Sequence, residues 1–132
     1  MPNFRIYDVL ECVAAVVRDI AADITPEGSE RPHVLIGLAP DTIPELIYVS
    51  LGAGGTVDMG YAGAAIAHTI VDIHCRSVAY ESMVDMMQGV LLGMAGWSAA
   101  TVLATSVAQP VALANGNAIE ISITIEVVDR IQ

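Results

Sequence analysis

The sequence predicts a single α+β domain. Its β-sheet is antiparallel or mixed, with two main helices on one face, in the order α-β-β-β-α-β-β. Three observations carry this. Stretches 7–24 and 80–95 place apolar residues at steps of three and four, the period of a helix with one buried side. Stretches 66–76 and 119–127 alternate at period two, the pattern of a strand with one buried face. The chain has 132 residues, enough for one domain with its own core and too few for two.

In the first helix, Leu10, Val13, Ala14, Val17, Ile20, Ala21 and Ile24 form the apolar stripe. Glu11, Arg18, Asp19 and Asp23 fall on or near the opposite side. Pro26, Gly28 and Pro32 end the helix in an otherwise polar stretch. Residues 33–38, between Pro32 and Pro40, and residues 46–51, after Pro44, read as short strands. Stretch 52–63 then holds five glycines in twelve residues, which predicts a flexible loop.

Strand 66–76 turns Ala67, Thr69, Val71, Ile73 and Cys75 toward a core. Ile66, His68, Ile70, Asp72, His74 and Arg76 fall on the other, wettable face. Ser77 is placed to cap helix 80–95, and Glu81 stands in its first turn, near the positive end of the dipole. Tyr80, Val84, Met87, Leu91 and Met94 are its expected stripe, and Gly96 can close it. Residues 101–107 are β-branched and apolar, a strand interrupted by Gln109-Pro110 and able to resume over 111–114. Asn115-Gly116 is a two-residue hairpin signal. In the closing strand, Ile119, Ile121, Ile123, Ile125 and Val127 alternate with Glu120, Ser122, Thr124 and Glu126.

Composition excludes several function classes. With 55% apolar and 15% charged residues the chain is no disordered tail. Five arginines and no lysine stand against fifteen acids, a net charge of −10. Such a chain does not neutralise phosphates, which argues against gripping nucleic acid and against an anionic membrane surface. Stretch 86–119 carries no charge and is long enough to span a bilayer. Gly89, Gly93, Gly96, Gln109, Pro110, Asn115 and Gly116 break it, and no basic flank sets a topology, so no membrane span is expected. The first eight residues lack a basic start followed by an apolar run, so no secretory signal is read there. Cys12 and Cys75 each sit in an apolar-periodic stretch and read as two buried thiols in a reducing compartment, with a single disulfide as the alternative.

No constellation of catalytic residues stands out. His68, Asp72 and His74 share a strand face, but His68 and Asp72 are four residues apart, about 13 Å at the rise of a strand. Asp72 and His74, about 7 Å apart on the same rise, would need a third ligand from elsewhere to hold a metal. The expected role of the face is hydrogen bonding toward solvent or a partner, with no metal and no cofactor. Gly52-Ala53-Gly54-Gly55-Thr56-Val57 begins like a dinucleotide fingerprint and fails at Val57, and without lysine there is no P-loop. No serine stands in GxSxG, and Asp41 and Glu45 flank prolines as solvated loop charges. Trp97, after Gly96, either closes the core or anchors a partner. The chain is expected not to be an enzyme.

Residues 67–77, Ala-His-Thr-Ile-Val-Asp-Ile-His-Cys-Arg-Ser, are followed by Glu81 and a helix running to Leu92-Gly93. With the Pro-x-h-h-h-Gly at Pro32 to Gly37 (h apolar), this pattern resembles the tail-terminator, or tail-completion, proteins of long-tailed bacteriophages. The opening helix, glycine-rich middle and alternating last strand follow that family's order. Cys75, where an aromatic residue is common, and the excess of glycine depart from it.

The resemblance implies a structural virion protein of the neck, assembled in the host cytoplasm. It implies a homo-oligomeric ring, six-fold, that caps the tail tube and ends its growth. Its partners would be the tail-tube protein below and a head-completion or connector protein above, with DNA passing through the lumen without specific binding. A head–tail joining protein of the same architecture is the nearest alternative, and a small cytosolic ligand-binding domain the more distant one. The candidate contact residues are His68, Asp72, His74, Arg76 and Trp97, with Gly54, Gly55, Asp58 and Tyr61 of the glycine-rich stretch.

Overall fold

The computed structural model describes residues 6–25, 27–28, 32–40, 42–59, 65–96, 101–113, 116 and 118–131. The elements are α1 (Ile6–Ile24), β1 (His33–Ile36), β2 (Leu46–Met59), β3 (Ala65–Ser77), α2 (Tyr80–Ala95), β4 (Thr101–Val107), β5 (Val111–Ala112) and β6 (Ile119–Ile131). This is the expected α+β order, with the resumed fragment after β4 forming a two-residue strand of its own. The sheet runs β1-β2-β3-β6-β4, and β5 pairs with β6 beyond the end of β4. β1 and β2 are parallel and all other pairs are antiparallel, so the sheet is mixed. The β5–β6 hairpin closes where the sequence placed it, with Gly116 at φ +72, a conformation open to glycine.

Both helices lie on one face. α1 packs against β1, β2 and β3, α2 against β3 and β6, and the helices against each other. The core is formed by Val9, Leu10, Val13, Val17 and Ile20 of α1 with Met83, Val90 and Met94 of α2 over Ile47, Val49, Val71, Ile73, Cys75, Ile121, Ile123, Ile125 and Val127. Val71, Ile73 and Cys75 of β3 and Ile121, Ile123, Ile125 and Val127 of β6 are thus buried as expected, while Ile119 is only partly buried.

Four expectations are corrected. The glycine-rich stretch is not a loop through residue 59: β2 continues to Met59 and pairs with β3. Backbone pairing needs no side chains, and the ladder absorbs the glycines through a register shift between Leu51 and Gly55. There Gly52 lies against Ile70; a Cβ on it would stand 2.6 Å from Ile70 Cγ2. Second, the buried stripe of α2 is Met83, Met86, Val90 and Met94, and Tyr80 is 59% exposed. Val84, Met87 and Leu91 are only partly buried, because the helix is turned so that Gly89 and Gly93 receive Ile24 and Ile20 of α1.

Third, Ser77 is not the helix cap. Ala79 holds that position without a side-chain bond, while the Ser77 hydroxyl accepts from the Ala79 amide at 3.3 Å. Glu45 Oε1 accepts from Ser77 Oγ at 2.9 Å and from the Val78 amide at 3.1 Å, so a residue read as a loop charge secures the entry to α2. Fourth, Cys12 is exposed on α1, whereas Cys75 is buried, and both are free thiols. No described helix is long and apolar enough to cross a membrane.

Candidate functional site

The face of the sheet opposite the helices carries the polar residues. The β2–β3 register sets Tyr48 opposite His74 and Ser50 opposite Asp72. The β3–β6 register sets Arg76 opposite Glu120, His74 opposite Ser122 and Asp72 opposite Thr124. Residues opposite each other on neighbouring strands share a face, so three strands build one surface.

At one end the surface is closed over. The crossover from β1 to β2 crosses it, and Arg76 Nη1 donates to the carbonyls of Pro40 and Ile43 at 2.8 and 3.0 Å. Arg76 Nε and Nη2 reach Glu120 Oε1 at 3.1 and 3.0 Å, and the Tyr48 hydroxyl donates to Glu120 Oε2 at 2.8 Å. The Tyr48 ring stacks on His74 with centroids 4.1 Å apart, and the guanidinium lies 5.5 Å from the Tyr48 centroid. His74 Nδ1 bonds Ser122 Oγ at 2.8 Å and its Nε2 bonds Ser50 Oγ at 3.0 Å. Farther along, Thr124 donates to Asp72 Oδ1 at 2.7 Å, and His68 Nδ1 meets Glu126 Oε1 at 2.7 Å.

Electrostatics follow from this enclosure. Burial, then the hydrogen bond to Glu120, pushes the Tyr48 hydroxyl up to about 12. Burial lowers His74, outweighing the attraction of Glu120 and Asp72 for its proton. Burial pushes the Cys75 thiol on the core side up to about 12. Both ring nitrogens of His74 meet hydroxyls, burial favours its neutral form, and Tyr48 keeps its proton at neutral pH. Among the described residues no group of three or more His, Cys, Asp or Glu could hold a metal ion. Every buried side-chain nitrogen and oxygen described has a hydrogen-bond partner. The described side chains of this face hydrogen-bond one another across the three strands.

Of the expected contact residues, His68, Asp72, His74 and Arg76 come together on this face. Arg76, expected as a contact residue, is only 2% exposed and uses donors within the subunit, and β3 is an inner strand between β2 and β6. Gly54, Gly55 and Asp58 lie in β2, with Gly55 opposite Thr69 and Asp58 opposite Ile66. Tyr61 and Trp97 lie outside the described residues. Sequence reasoning missed Tyr48 and Ser50 as members of the surface. Their alternation with Ile47 and Val49 in the short strand read over 46–51 was the available signal.

Compared with known proteins, the chain matches no protein family and no curated protein sequence. Among solved structures it is similar to a chain of the virion of a native gene transfer agent particle. The similarity covers 93% of this chain and 90% of that one, at 13% identity and a TM-score of 0.45.

Proposed function

We propose that this chain is a ring-forming structural subunit of a tailed virion, a tail terminator that caps the tail tube and offers its other side to a head connector. The observation that carries the reading is the sheet. It has both described helices on one face, a shape-holding polar surface on the other, and two unlike edges, one formed by β1 and the length of β2 that runs past it and the other by β4. A head-to-tail ring needs two unlike patches on each subunit, and these edges supply them. The strand-to-helix pattern around Arg76, Ser77 and Glu81 supports the same family.

The charge of −10 has a use in this setting. A lumen lined by carboxylates repels phosphates and lets DNA slide without sticking. The same charge makes neighbouring subunits repel, so apolar or backbone contacts hold the ring. Salt favours the ring by screening over about 8 Å at physiological ionic strength. A head–tail joining protein of the same architecture is the alternative, since it would use the same edges.

The test is mass photometry with negative-stain microscopy of the purified chain across a salt series, with and without chelator. Closed rings, six-fold and indifferent to chelator, that favour higher salt and do not bind duplex DNA are the expected result. A monomer at every salt concentration would overturn the reading, and duplex binding at moderate salt would remove the repulsive lumen.

A further inference from the structure

β1 pairs with β2 only from Leu46 to Val49. Beyond that point β2 runs on to Met59, with β3 on one side and no described strand on the other. The register shift between Leu51 and Gly55 ends one regular stretch, and a second, 55–59, pairs residue by residue with 65–69 of β3. Its outward N–H and C=O groups form a row that a further strand could complete. Protein edges are commonly blunted by lysine, proline or inward charge. Stretch 50–59 has no lysine, no proline and one charged residue, Asp58. Glycine in a strand interior costs roughly 0.5–1 kcal/mol relative to alanine, and Gly52, Gly54 and Gly55 all lie here. A strand so weakened on one side gains most from a partner on the other.

We infer that stretch 55–59 of β2 accepts β4 of a second copy of this chain, so that the sheet continues from subunit to subunit. This rests on the ring reading and specifies its joint. β4 is the opposite terminal strand of the same sheet, paired to β6 on one side and to no described strand on the other. Directions match: β2 to β3, β3 to β6 and β6 to β4 are each antiparallel, so β4 runs opposite to β2. A head-to-tail neighbour related by rotation about a ring axis aligned with the strands keeps that relation, and the new pair is antiparallel. Charge selects this occupant over a second β2. Residues 101–107, Thr-Val-Leu-Ala-Thr-Ser-Val, carry no charge and are rich in β-branched side chains. Two β2 edges would instead bring two Asp58 carboxylates into one short ladder, which like charges disfavour.

The experiment uses the full chain with Cys12→Ser. Thr56→Cys or Val57→Cys is combined with Thr105→Cys or Ser106→Cys, four pairings that sample both faces and neighbouring registers. Mild oxidation should give a ladder of disulfide multimers in at least one pairing and in none of the chains carrying only one of the introduced cysteines beside the buried Cys75. Hydrogen exchange on the unmodified chain gives a second readout that needs no variant to fold. Amides in 55–59 and 101–107 should slow about tenfold or more when dilute subunits assemble. Rings without cross-links and without this slowing overturn the edge pairing and leave the ring reading standing. Cross-linked open chains without rings support the pairing and sink the ring. Dimers from Val57→Cys alone show β2 pairing with itself and overturn the choice of β4. A monomer with neither cross-link nor slowing overturns both.

Discussion

Arg76 and Glu120 face each other across β3 and β6, with Nε and Nη2 of the guanidinium converging on one carboxylate oxygen at 3.1 and 3.0 Å. The arginine is 2% exposed, so its charge has left water and is balanced by Glu120 and by two backbone carbonyls of the crossover. Losing one member of such a pair strands the other, at about 3–5 kcal/mol. Arg76→Met should therefore destabilise the fold by that order and free the 40–43 crossover from the sheet. Glu120→Leu combined with Arg76→Met should recover part of the loss, because no charge is then left buried. Urea unfolding of the two variants and the double variant measures this. A loss under about 1 kcal/mol for Arg76→Met would show that the pair is solvated after all.

Gly93 and Gly89 of α2 predict the opposite of what helix propensity alone would give. Alanine is favoured over glycine inside a helix by about 1 kcal/mol. A Cβ on Gly93, however, would run into the Ile20 side chain, and one on Gly89 would stand 2.9 Å from Ile24 Cγ2. Overpacking of this kind costs roughly 1–3 kcal/mol, so Gly93→Ala should lower the thermal midpoint instead of raising it. Ile20→Ala removes both atoms that would collide, Cδ1 and Cγ1, and leaves only Cβ, 3.6 Å away. The pair Gly93→Ala with Ile20→Ala should then cost less than the sum of the single changes. Additive losses would place the strain elsewhere.

The parts of this molecule legible in its sequence are those where one face meets a core. β3 and β6 alternate strictly, and the burial of Val71, Ile73, Ile123 and Ile125 follows from that alone. What was not legible depends on partners distant in sequence. The extension of β2 through Gly52, Gly54 and Gly55 comes from backbone pairing with β3, which leaves no trace in side-chain pattern. The α2 stripe is turned because two glycines meet α1, a tertiary fact that periodicity within α2 cannot contain. For the polar surface, the β3 half was readable from His68, Asp72, His74 and Arg76. Its pairing with Tyr48, Ser50 and Glu120 required the register.

The two thiols should separate by reactivity. Cys12 is exposed, while Cys75 is buried with its thiol pushed up to about 12, so almost none of it is the nucleophilic thiolate at neutral pH. Titration of the native protein with a disulfide reagent should modify Cys12 quickly and leave Cys75 until denaturant is added. Cys12→Ser should abolish the fast phase. Fast modification of both thiols in the native state would contradict the burial of Cys75 against the helices.

His74 should make stability depend on pH in a definite direction. Its folded pKa is lowered from the ordinary value of 6.5, with burial as the leading cause, opposed by the carboxylates of Glu120 and Asp72 and aided by the Arg76 charge. The unfolded chain then takes up a proton that the folded chain resists. The contribution is fully present above 6.5 and is lost as pH falls from there toward the lowered value. Protonation also removes the acceptor role at one ring nitrogen, because imidazolium can only donate to Ser50 and Ser122. The urea midpoint should fall as pH drops below 6.5, and His74→Gln, which can still bond both hydroxyls, should flatten that fall while lowering stability at neutral pH through the lost stacking on Tyr48. An unchanged slope in His74→Gln would assign the pH dependence to other groups.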